Sequence, residues 1–217
     1  TDIAAKIAKE YGVKLIEVLT GFKFIGEQIG FLEDKGQEDR YIFGFEESYG
    51  YLAGSYVRDK DAVVASMLIC EMAAFYRTKG ISLIQARENM FKKYGVYVHS
   101  QSSFVCEGVT GMERMKEIMS DLRTNTPKTI GGLTVTRFED YLASTSVDTA
   151  TGAKTMLTLP KSDVLTFKLT DGASVIIRPS GTEPKIKAYY TTTGTTKAEA
   201  AALEKTISDD FAKILGF

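Results

Sequence analysis

A run of ten residues combines the side chains and backbone groups that bind phosphate. It reads Arg178-Pro-Ser-Gly-Thr-Glu-Pro-Lys-Ile-Lys187. Arginine offers a forked cation, hydroxyl side chains donate hydrogen bonds, and glycine lets backbone N–H groups approach an anion without a side chain in the way. These groups are supplied by Arg178, Ser180, Gly181 and Thr182. The run therefore predicts a phosphate-binding loop between two strand-like segments.

Two prolines restrict the backbone of this run. Pro179 and Pro184 are half of the chain's 4 prolines. A turn that is already rigid loses less conformational entropy when it closes on a ligand. Proline, serine, glycine and threonine are also common in ordinary tight turns for backbone reasons alone. The alternative interpretation is therefore a plain turn that carries a solvated arginine.

The overall composition indicates a globular protein that has no general attraction to anionic polymers. The 217 residues are 44% hydrophobic and 25% charged, with a formal net charge of -1. We expect no nucleic-acid partner and no membrane partner, so any bound anion must be held by a local site. No apolar run is long enough to span a bilayer and no signal-peptide pattern is present, which predicts a cytoplasmic location.

The rare residue types argue against two other kinds of chemistry. His99 is the only histidine, and Cys70 and Cys106 have no metal-ligand spacing. A zinc site needs several such ligands, and a Ser-His-Asp triad needs a histidine placed beside its serine. We therefore expect neither, and both cysteines are interpreted as reduced.

Length and hydrophobic periodicity predict two domains, residues 1–95 and 96–217. The first is expected to be an α/β domain, a mixed sheet with helices. Its predicted elements are a helix, a buried strand, an apolar run and two helices, at 2–11, 13–19, 41–43, 60–79 and 82–95. The 60–79 segment would be a long helix, apolar on nearly every side, and is expected to be largely buried.

The second domain is expected to be α+β, an antiparallel four-stranded sheet covered on one side by two helices. Strand candidates lie at 96–106, 133–138, 165–169, 175–177 and 186–190. Thr110 with Glu113, and Thr196 with Glu199, predict capping boxes at the two helix starts. The methionines after Thr110 are interpreted as core packing. The polar stretch 144–161 is expected to be an exposed loop.

Three segments, taken together and in order, resemble the signatures of one family. They are Thr20-Gly-Phe-Lys-Phe-Ile25, Gly44-Phe-Glu-Glu-Ser-Tyr-Gly50 followed by Val57-Arg-Asp-Lys-Asp61, and Arg178-Pro-Ser-Gly-Thr-Glu-Pro184. Their order and spacing resemble the α-D-phosphohexomutases, the phosphoglucomutase and phosphomannomutase superfamily. The resemblance covers essentially the whole chain. Residues 1–95 resemble most of that family's third domain, and residues 96–217 resemble its fourth.

This resemblance implies a reaction and its cofactors. Such enzymes move a phosphoryl group between the 1- and 6-positions of a hexose, using a phosphoserine, Mg²⁺ and an intermediate such as glucose 1,6-bisphosphate. The family's serine loop (Thr-Ala-Ser-His-Asn-Pro type) and metal loop (Asp-Gly-Asp-x-Asp-Arg type) do not occur in these 217 residues. Phosphoryl transfer needs both parts. We therefore expect the C-terminal part of a mutase, inactive alone and partnered by the N-terminal domains of the same protein.

The resemblance also implies roles for individual residues. Glu46 and Ser48 match a sugar-binding loop, whose carboxylate would accept hydrogen bonds from ring hydroxyls. Lys23, Arg58 and Lys60 match basic residues beside the sugar. The implied phosphate-binding positions are Arg178, Ser180, Gly181 and Thr182, with Lys187 expected to add positive charge. No catalytic residue and no metal ligand is implied within this chain.

Several of these assignments have structural alternatives. Glu46 and Glu47 are also typical of a solvated loop. Lys23 suits the exposed position of an alternating strand. The segment 58–61 alternates basic and acidic residues, as at the start of a salt-bridged helix that Asp61 would cap.

The sugar loop bears on the substrate. Its Gly-Phe-Glu-Glu-Ser sequence resembles the branch of bacterial phosphoglucomutases and phosphopentomutases more than typical phosphomannomutases. The leading expectation is therefore interconversion of glucose 1-phosphate and glucose 6-phosphate, with a phosphosugar as the small-molecule partner. A phosphopentomutase, a phosphomannomutase and a non-catalytic phosphosugar-binding module stay open as alternatives.

Overall fold

Two units with separate hydrophobic cores make up the structure, a computed structural model that describes residues 2–19, 21–46, 49–108, 110–181 and 183–217. The smaller unit is Val13–Met90. The larger unit consists of residues 2–12 together with Phe91–Phe217.

The helix at the start of the chain belongs to the larger unit. This helix, α1 (Asp2–Glu10), was grouped with residues 1–95 in the sequence-based division. Lys6 Nζ donates to the carbonyl of Tyr94 at 2.7 Å, and Tyr94 Oη donates to Glu10 at 2.8 Å. These bonds attach α1 to the chain just before Gly95. The division of the chain at residue 95 itself stays a prediction.

Helices and one small sheet form the smaller unit. Its elements are α2 (Phe22–Glu33), β1 (Phe43–Phe45), β2 (Tyr51–Ala53), α3 (Ala62–Thr78) and most of α4 (Leu83–Tyr94). Strands β1 and β2 pair antiparallel, with Phe43 opposite Ala53. Among the described residues this hairpin is the unit's whole sheet, so the mixed sheet predicted for the first domain was wrong.

Two apolar segments of the smaller unit are more exposed than predicted. Residues 13–19 form no strand, and Leu15 and Ile16 are exposed. A strand forms only where a neighbour pairs its backbone, and no described strand does so here. Helix α3 was predicted to be largely buried, but none of its residues is buried and Val63 is 79% exposed. An apolar pattern indicates that a helix needs neighbours and does not show that the rest of the chain supplies them.

An antiparallel sheet of eight strands dominates the described part of the larger unit. The strands are β3 (Val96–Val105), β4 (Thr129–Ile130), β5 (Leu133–Asp140), β6 (Thr145–Asp148), β7 (Lys154–Met156), β8 (Leu165–Leu169), β9 (Ser174–Pro179) and β10 (Lys185–Gly194). Their spatial order is β3-β10-β9-β8-β5-β6-β7, and β4 pairs with β5.

The prediction of a four-stranded sheet was therefore wrong. Strands β6 and β7 lie within residues 144–161, which were predicted to be a loop. All three residues of β7 are exposed, because this strand forms an edge of the sheet. Short polar edge strands lack the apolar alternation by which strands are recognised in a sequence.

Two helices, α5 (Gly111–Thr124) and α6 (Lys197–Ile214), cover one face of this sheet. They share a single core with alternate residues of the central strands. Its members include Met115, Met119, Leu122, Ile207 and Phe211 from the helices, and Phe167, Val175, Ile177, Ile186, Ala188 and Tyr190 from the strands. The interpretation of the methionines as core residues is confirmed for Met115 and Met119, but it was wrong for Met112, which is exposed.

The two predicted capping boxes have different outcomes. At the start of α6, Thr196 Oγ1 accepts the N–H of Glu199 at 3.1 Å, and the Glu199 carboxylate accepts the N–H of Thr196 at 3.3 Å. The box predicted for Thr110 and Glu113 was wrong, since Thr110 makes no side-chain cap bond. The backbone of Thr110 has ψ 5, whereas a capping residue is usually extended.

The sequence also led to predictions about membrane spans and about the two cysteines. Within the described residues, no helix combines the length and the apolar character that crossing a bilayer requires. Both cysteines are free; Cys106 is buried in the core of the larger unit, and Cys70 is exposed on α3. The expected cytoplasmic location stays a prediction.

The core of the larger unit can be tested at Phe211, which is fully buried with its ring 5.8 Å from that of Phe167 and 6.3 Å from that of Tyr190. Phe211→Ala should lower the free energy of unfolding by about 3 to 5 kcal/mol, because it removes apolar contacts and leaves a cavity. Urea denaturation followed by circular dichroism measures the change. Ile214→Ala, in the same helix but 36% exposed, is the control and should cost clearly less. Equal losses for the two variants would contradict the described core.

Candidate functional site

The predicted phosphate-binding run forms the hairpin between β9 and β10. Arg178 pairs with Lys187 near the end of the two strands. The turn beyond is closed by the N–H of Ser180, which donates to the carbonyl of Lys185 at 2.8 Å. Thr182 lies outside the described residues. The run is therefore anchored on both sides by strands of the large sheet.

A cavity of about 180 Å³ opens on this hairpin. This is roughly ten times the ~15 Å³ that a single water needs. Its lining residues are Arg178, Pro179, Ser180, Gly181, Glu183, Lys185 and Lys187. Three cations and one carboxylate leave an excess of two positive charges, so the cavity attracts anions. The structure thus brings together every predicted phosphate-binding residue that it describes.

Strand alternation explains how the cations reach the cavity. The residues of β10 that face the core are Ile186, Ala188 and Tyr190. Successive side chains of a strand point to opposite faces. Lys185, Lys187 and Tyr189 therefore share the face away from the core. Burial of the apolar residues fixes the position of the basic ones.

The guanidinium of Arg178 bonds to a neutral partner. Its Nε and Nη2 both donate to Tyr189 Oη at 3.3 Å, and its Cζ lies 5.8 Å from the centroid of the Tyr189 ring. A hydroxyl orients a guanidinium without cancelling its charge. Sequence reasoning missed Tyr189, although its position two residues after Lys187 on a strand was a usable signal.

Glu183 brings a negative charge to the same cavity. Its carboxylate pairs with Lys185 Nζ. The hydrogen bond and positive charge of Lys185, with a further contribution from Lys187, hold the pKa of Glu183 below its ordinary value. The carboxylate is therefore ionised at neutral pH and partly neutralises Lys185. Sequence reasoning assigned no role to Glu183.

The start of α5 packs against the hairpin. A Cβ at Gly111 would lie 2.0 Å from the carbonyl oxygen of Cys106 and 3.1 Å from Pro184 Cβ, so only glycine fits this contact. The N–H of Cys106 donates to the carbonyl of Pro184 at 2.8 Å. The end of β3, the start of α5 and Pro184 thus form one packed corner that supports the loop.

The predicted sugar-binding loop connects β1 and β2 in the smaller unit. The N–H of Glu46 donates to the carbonyl of Gly50 at 3.0 Å. Glu46 is half-buried, and its side chain fills the space beside Gly50, where a Cβ would lie 2.7 Å from Glu46 Oε1. Glu47 and Ser48 lie outside the described residues. The carboxylate of Glu46 is thus placed by a glycine at the other end of its own loop.

A small core under α2 supports this hairpin. Phe22, Ile29 and Leu52 are its buried members. Tyr41 Oη donates to the carbonyl of Leu52 at 3.2 Å, and burial raises the pKa of Tyr41 to about 12. A Cβ at Gly44 would lie 2.3 Å from Tyr41 Oη, so glycine is required at this point of β1.

The three basic residues predicted beside the sugar lie in different elements of the smaller unit. Lys23 is exposed in the first turn of α2, so the alternating strand considered for it was wrong. Arg58 Nη2 pairs with Glu33 at 2.6 Å, and Lys60 Nζ pairs with Asp59 at 3.0 Å. Both ion pairs are largely exposed, and such pairs contribute little stability.

Two contacts fix the segment that carries Arg58. Asp61 caps α3 as predicted, and its Oδ1 accepts the N–H of Val63 at 2.8 Å. The Tyr56 hydroxyl and the backbone N–H groups at the helix start hold the pKa of Asp61 below its ordinary value. Gly26 in α2 lets the backbone of Arg58 approach closely, since a Cβ there would lie 2.5 Å from its carbonyl oxygen.

The described residues do not fit the Mg²⁺ that the resemblance implies. Magnesium is held mainly by carboxylate oxygens and waters. In the part of the chain that the structure describes, no three His, Cys, Asp or Glu side chains gather as a metal site. The observed arrangement can bind anions and accept hydrogen bonds from hydroxyls.

Two family models match the chain. The model described as phosphoglucomutase/phosphomannomutase, alpha/beta/alpha domain III, matches residues 1–94. The model of the C-terminal domain of the same family matches residues 119–209. The first match contains Glu46, and the second contains the Arg178 hairpin.

Curated relatives and a solved structure give the same result. The phosphoglucomutase of Staphylococcus aureus strain bovine RF122 / ET3-1 is 39% identical over 189 residues, which are 87% of this chain and 34% of that protein. The phosphoglucomutase of strain MRSA252 is 38% identical over the same lengths. The chain thus spans about a third of the length of the curated relatives it matches.

A crystal structure of the exocytosis-sensitive phosphoprotein pp63/parafusin, a phosphoglucomutase from Paramecium in its open form, shares the fold with a TM-score of 0.68. The similarity covers 98% of this chain and 35% of that one, at 21% identity. The two family models, the identity to phosphoglucomutases and this shared fold agree. The chain belongs to the phosphoglucomutase/phosphomannomutase family and corresponds to its domain III and C-terminal domain.

Proposed function

We propose that this chain is the substrate-binding C-terminal part of a phosphoglucomutase, which interconverts glucose 1-phosphate and glucose 6-phosphate. The observation that carries the proposal is the cavity at the Arg178 hairpin, where three cations face one carboxylate. The phosphate-binding residues in this proposal are Arg178, Ser180, Gly181, Thr182 and Lys187. The 38–39% identity to phosphoglucomutases favours a glucose phosphate as the substrate.

The loop between β1 and β2 is proposed to recognise the sugar. Ring hydroxyls are donors, and an ionised carboxylate such as that of Glu46 is a strong acceptor. Ser48 is proposed to take part in the same recognition. Lys23, Arg58 and Lys60 are proposed to add positive charge beside the sugar, which would favour a phosphorylated ligand.

The proposed contribution of this chain is binding and orientation. An intermediate such as glucose 1,6-bisphosphate carries two phosphates, and one of them must be held while the other reacts. Arg178 and Lys187 can do this because they bring positive charge to a hairpin whose backbone is fixed by the sheet. Mg²⁺ and the phosphoserine, which supply charge neutralisation and the phosphoryl group in this family, are assigned to the domains that the longer relatives carry in addition.

Those additional domains, in the same protein, are the proposed partner of this chain. Val63, Met67 and Phe75 on α3 are 79%, 58% and 52% exposed, and Val13, Leu15 and Ile16 are exposed as well. The three residues of α3 lie along one side of the helix, and an exposed apolar stripe of this kind is typical of an interaction site. Contact with the other domains of a longer mutase would bury it.

The phosphate assignment is tested at Arg178. Arg178→Ala should weaken binding of glucose 1-phosphate by about 1.5 to 3 kcal/mol, the usual value of a hydrogen bond to a charged group. An NMR titration of the chain measures the affinity, with ribose 1-phosphate and mannose 1-phosphate as comparison ligands for the pentose and manno alternatives. Arg137→Ala removes the same charge from β5 and is the control. Unchanged affinity in the Arg178 variant would refute the phosphate assignment.

Glu183 should oppose anion binding. Glu183→Gln should raise the affinity for inorganic phosphate about two- to five-fold, because it removes a like charge and releases Lys185. Because the pKa of Glu183 is lowered, the carboxylate stays charged until the pH falls through that value. The ratio of variant to wild-type affinity should therefore exceed one at neutral pH and approach one only below an ordinary Glu pKa of ~4.3. Calorimetry across pH measures this ratio, and a weaker variant would contradict the prediction.

The sugar loop is tested at Gly50. Gly50→Ala should displace the Glu46 side chain, since the new Cβ would lie 2.7 Å from Oε1. Affinity for glucose 1-phosphate should fall about three- to ten-fold, the effect of losing a hydrogen bond, while affinity for inorganic phosphate is unchanged. Gly30→Ala in α2, where a Cβ meets nothing within 4 Å, is the matched control. Equal losses for both ligands would argue against a sugar-specific role for Glu46.

A further inference from the structure

Arginines in this protein are held in two different ways. Arg58 bonds to the carboxylate of Glu33, and Arg123 bonds to that of Asp140. An ion pair of this kind ties the guanidinium to an anion that is already present in the protein. In the candidate phosphate site, Arg178 is instead oriented by a neutral side chain.

The contact between Arg178 and Tyr189 fixes the plane of the guanidinium. Nε and Nη2 lie on one edge of the group, and both are 3.3 Å from Tyr189 Oη. Two N–H groups that converge on one oxygen restrict rotation of the arginine side chain. The Nη1 group takes no part in this contact, and the charge is not cancelled. A second edge of the fork is thus left to meet two oxygens of an anion.

Tyr189 itself is rigidly placed. Its neighbours Ala188 and Tyr190 are buried, at 0% and 1% exposure. Strand β10 is paired on both sides at this point, with Tyr189 opposite Gln101 of β3 and Ile176 of β9. A side chain on a doubly paired strand can serve as a fixed support for its neighbour.

We propose that Tyr189 is a positioning residue for phosphate binding, whose hydroxyl holds the Arg178 guanidinium in its binding orientation. This inference rests on the proposed function of the Arg178 hairpin. A long, unrestrained side chain loses rotamer freedom when it binds a ligand, and holding it in place beforehand removes part of that cost. Tyr189 acts through Arg178 and needs no contact with the phosphate.

Tyr189→Phe tests the hydroxyl while keeping the aromatic ring. The chain is titrated with inorganic phosphate and with glucose 1-phosphate by calorimetry. Affinity for both should fall about three- to ten-fold, with no change in the thermal unfolding midpoint. Tyr97→Phe is the matched control, because Tyr97 lies on the same face of the sheet, opposite Thr193, and its hydroxyl has no role in the proposal.

A double-mutant cycle separates positioning from a general structural effect. Arg178→Lys keeps the charge but has no fork to orient. Tyr189→Phe should therefore change affinity less than two-fold in the Arg178→Lys background, although it has its full effect in the wild type. A purely structural role for Tyr189 would give the same loss in both backgrounds.

The outcomes separate the positioning role of Tyr189 from the phosphate-binding role of the Arg178 hairpin. Weaker binding by Tyr189→Phe that disappears in the Arg178→Lys background supports the inference. Wild-type affinity for Tyr189→Phe, or an equal loss of affinity in both backgrounds, overturns the inference. In that case the proposed function still stands if Arg178→Ala binds phosphate more weakly than the wild type does. If Arg178→Ala also binds as well as the wild type, the proposed function fails, and this inference fails with it.

Discussion

The antiparallel register of β9 and β10 is the constraint on which the phosphate cavity depends. Burial of Ile186, Ala188 and Tyr190 sets which face of β10 meets the core. A shift of one residue would place those side chains in solvent and bury the lysines that alternate with them, at a large cost in free energy. The same hydrophobic effect that stabilises the fold therefore also places the basic residues beside Arg178. The position of the site therefore follows from the packing of the core.

The cavity gathers like charges, which repel one another, and the structure reduces that repulsion without abolishing the anion site. Glu183 pairs with Lys185, while Arg178 bonds to the neutral hydroxyl of Tyr189. If carboxylates paired every cation, the hairpin would resemble the Arg123 contact with Asp140 and Asp163, which cross-links the fold. One carboxylate among three cations leaves a positive excess for a ligand.

Features that depend on local chemistry could be predicted from the sequence. The Arg178 hairpin, the cap at Asp61 and the α6 capping box each involve residues close together in the chain, and the structure contains all three. The methionine core of α5 was predictable because apolar spacing on a helix indicates its buried face. Strands β6 and β7 were not, because their pairing is supplied by partner strands and their side chains are mostly polar.

Predictions that failed in the smaller unit failed because burial depends on distant segments. Residues 13–19 were predicted to be a buried strand and α3 a buried helix, but in the described residues the first forms no strand and no residue of either segment is fully buried. The region around Phe22, in turn, carries a helix where alternation suggested a strand, because Phe22 and Ile29, seven residues apart, pack on Leu52. Two helical turns separate these positions, and a short apolar run does not distinguish the period of a helix from that of a strand.

The two loops proposed to bind substrate differ in how firmly their own units hold them. The phosphate hairpin extends from central strands of an eight-stranded sheet and packs against the start of α5 through Gly111. The loop that carries Glu46 extends from a two-stranded hairpin supported by three buried residues. An isolated two-stranded hairpin is only marginally stable. Binding of the phosphate should therefore use a site that is already formed, whereas the Glu46 carboxylate is supported by a smaller core.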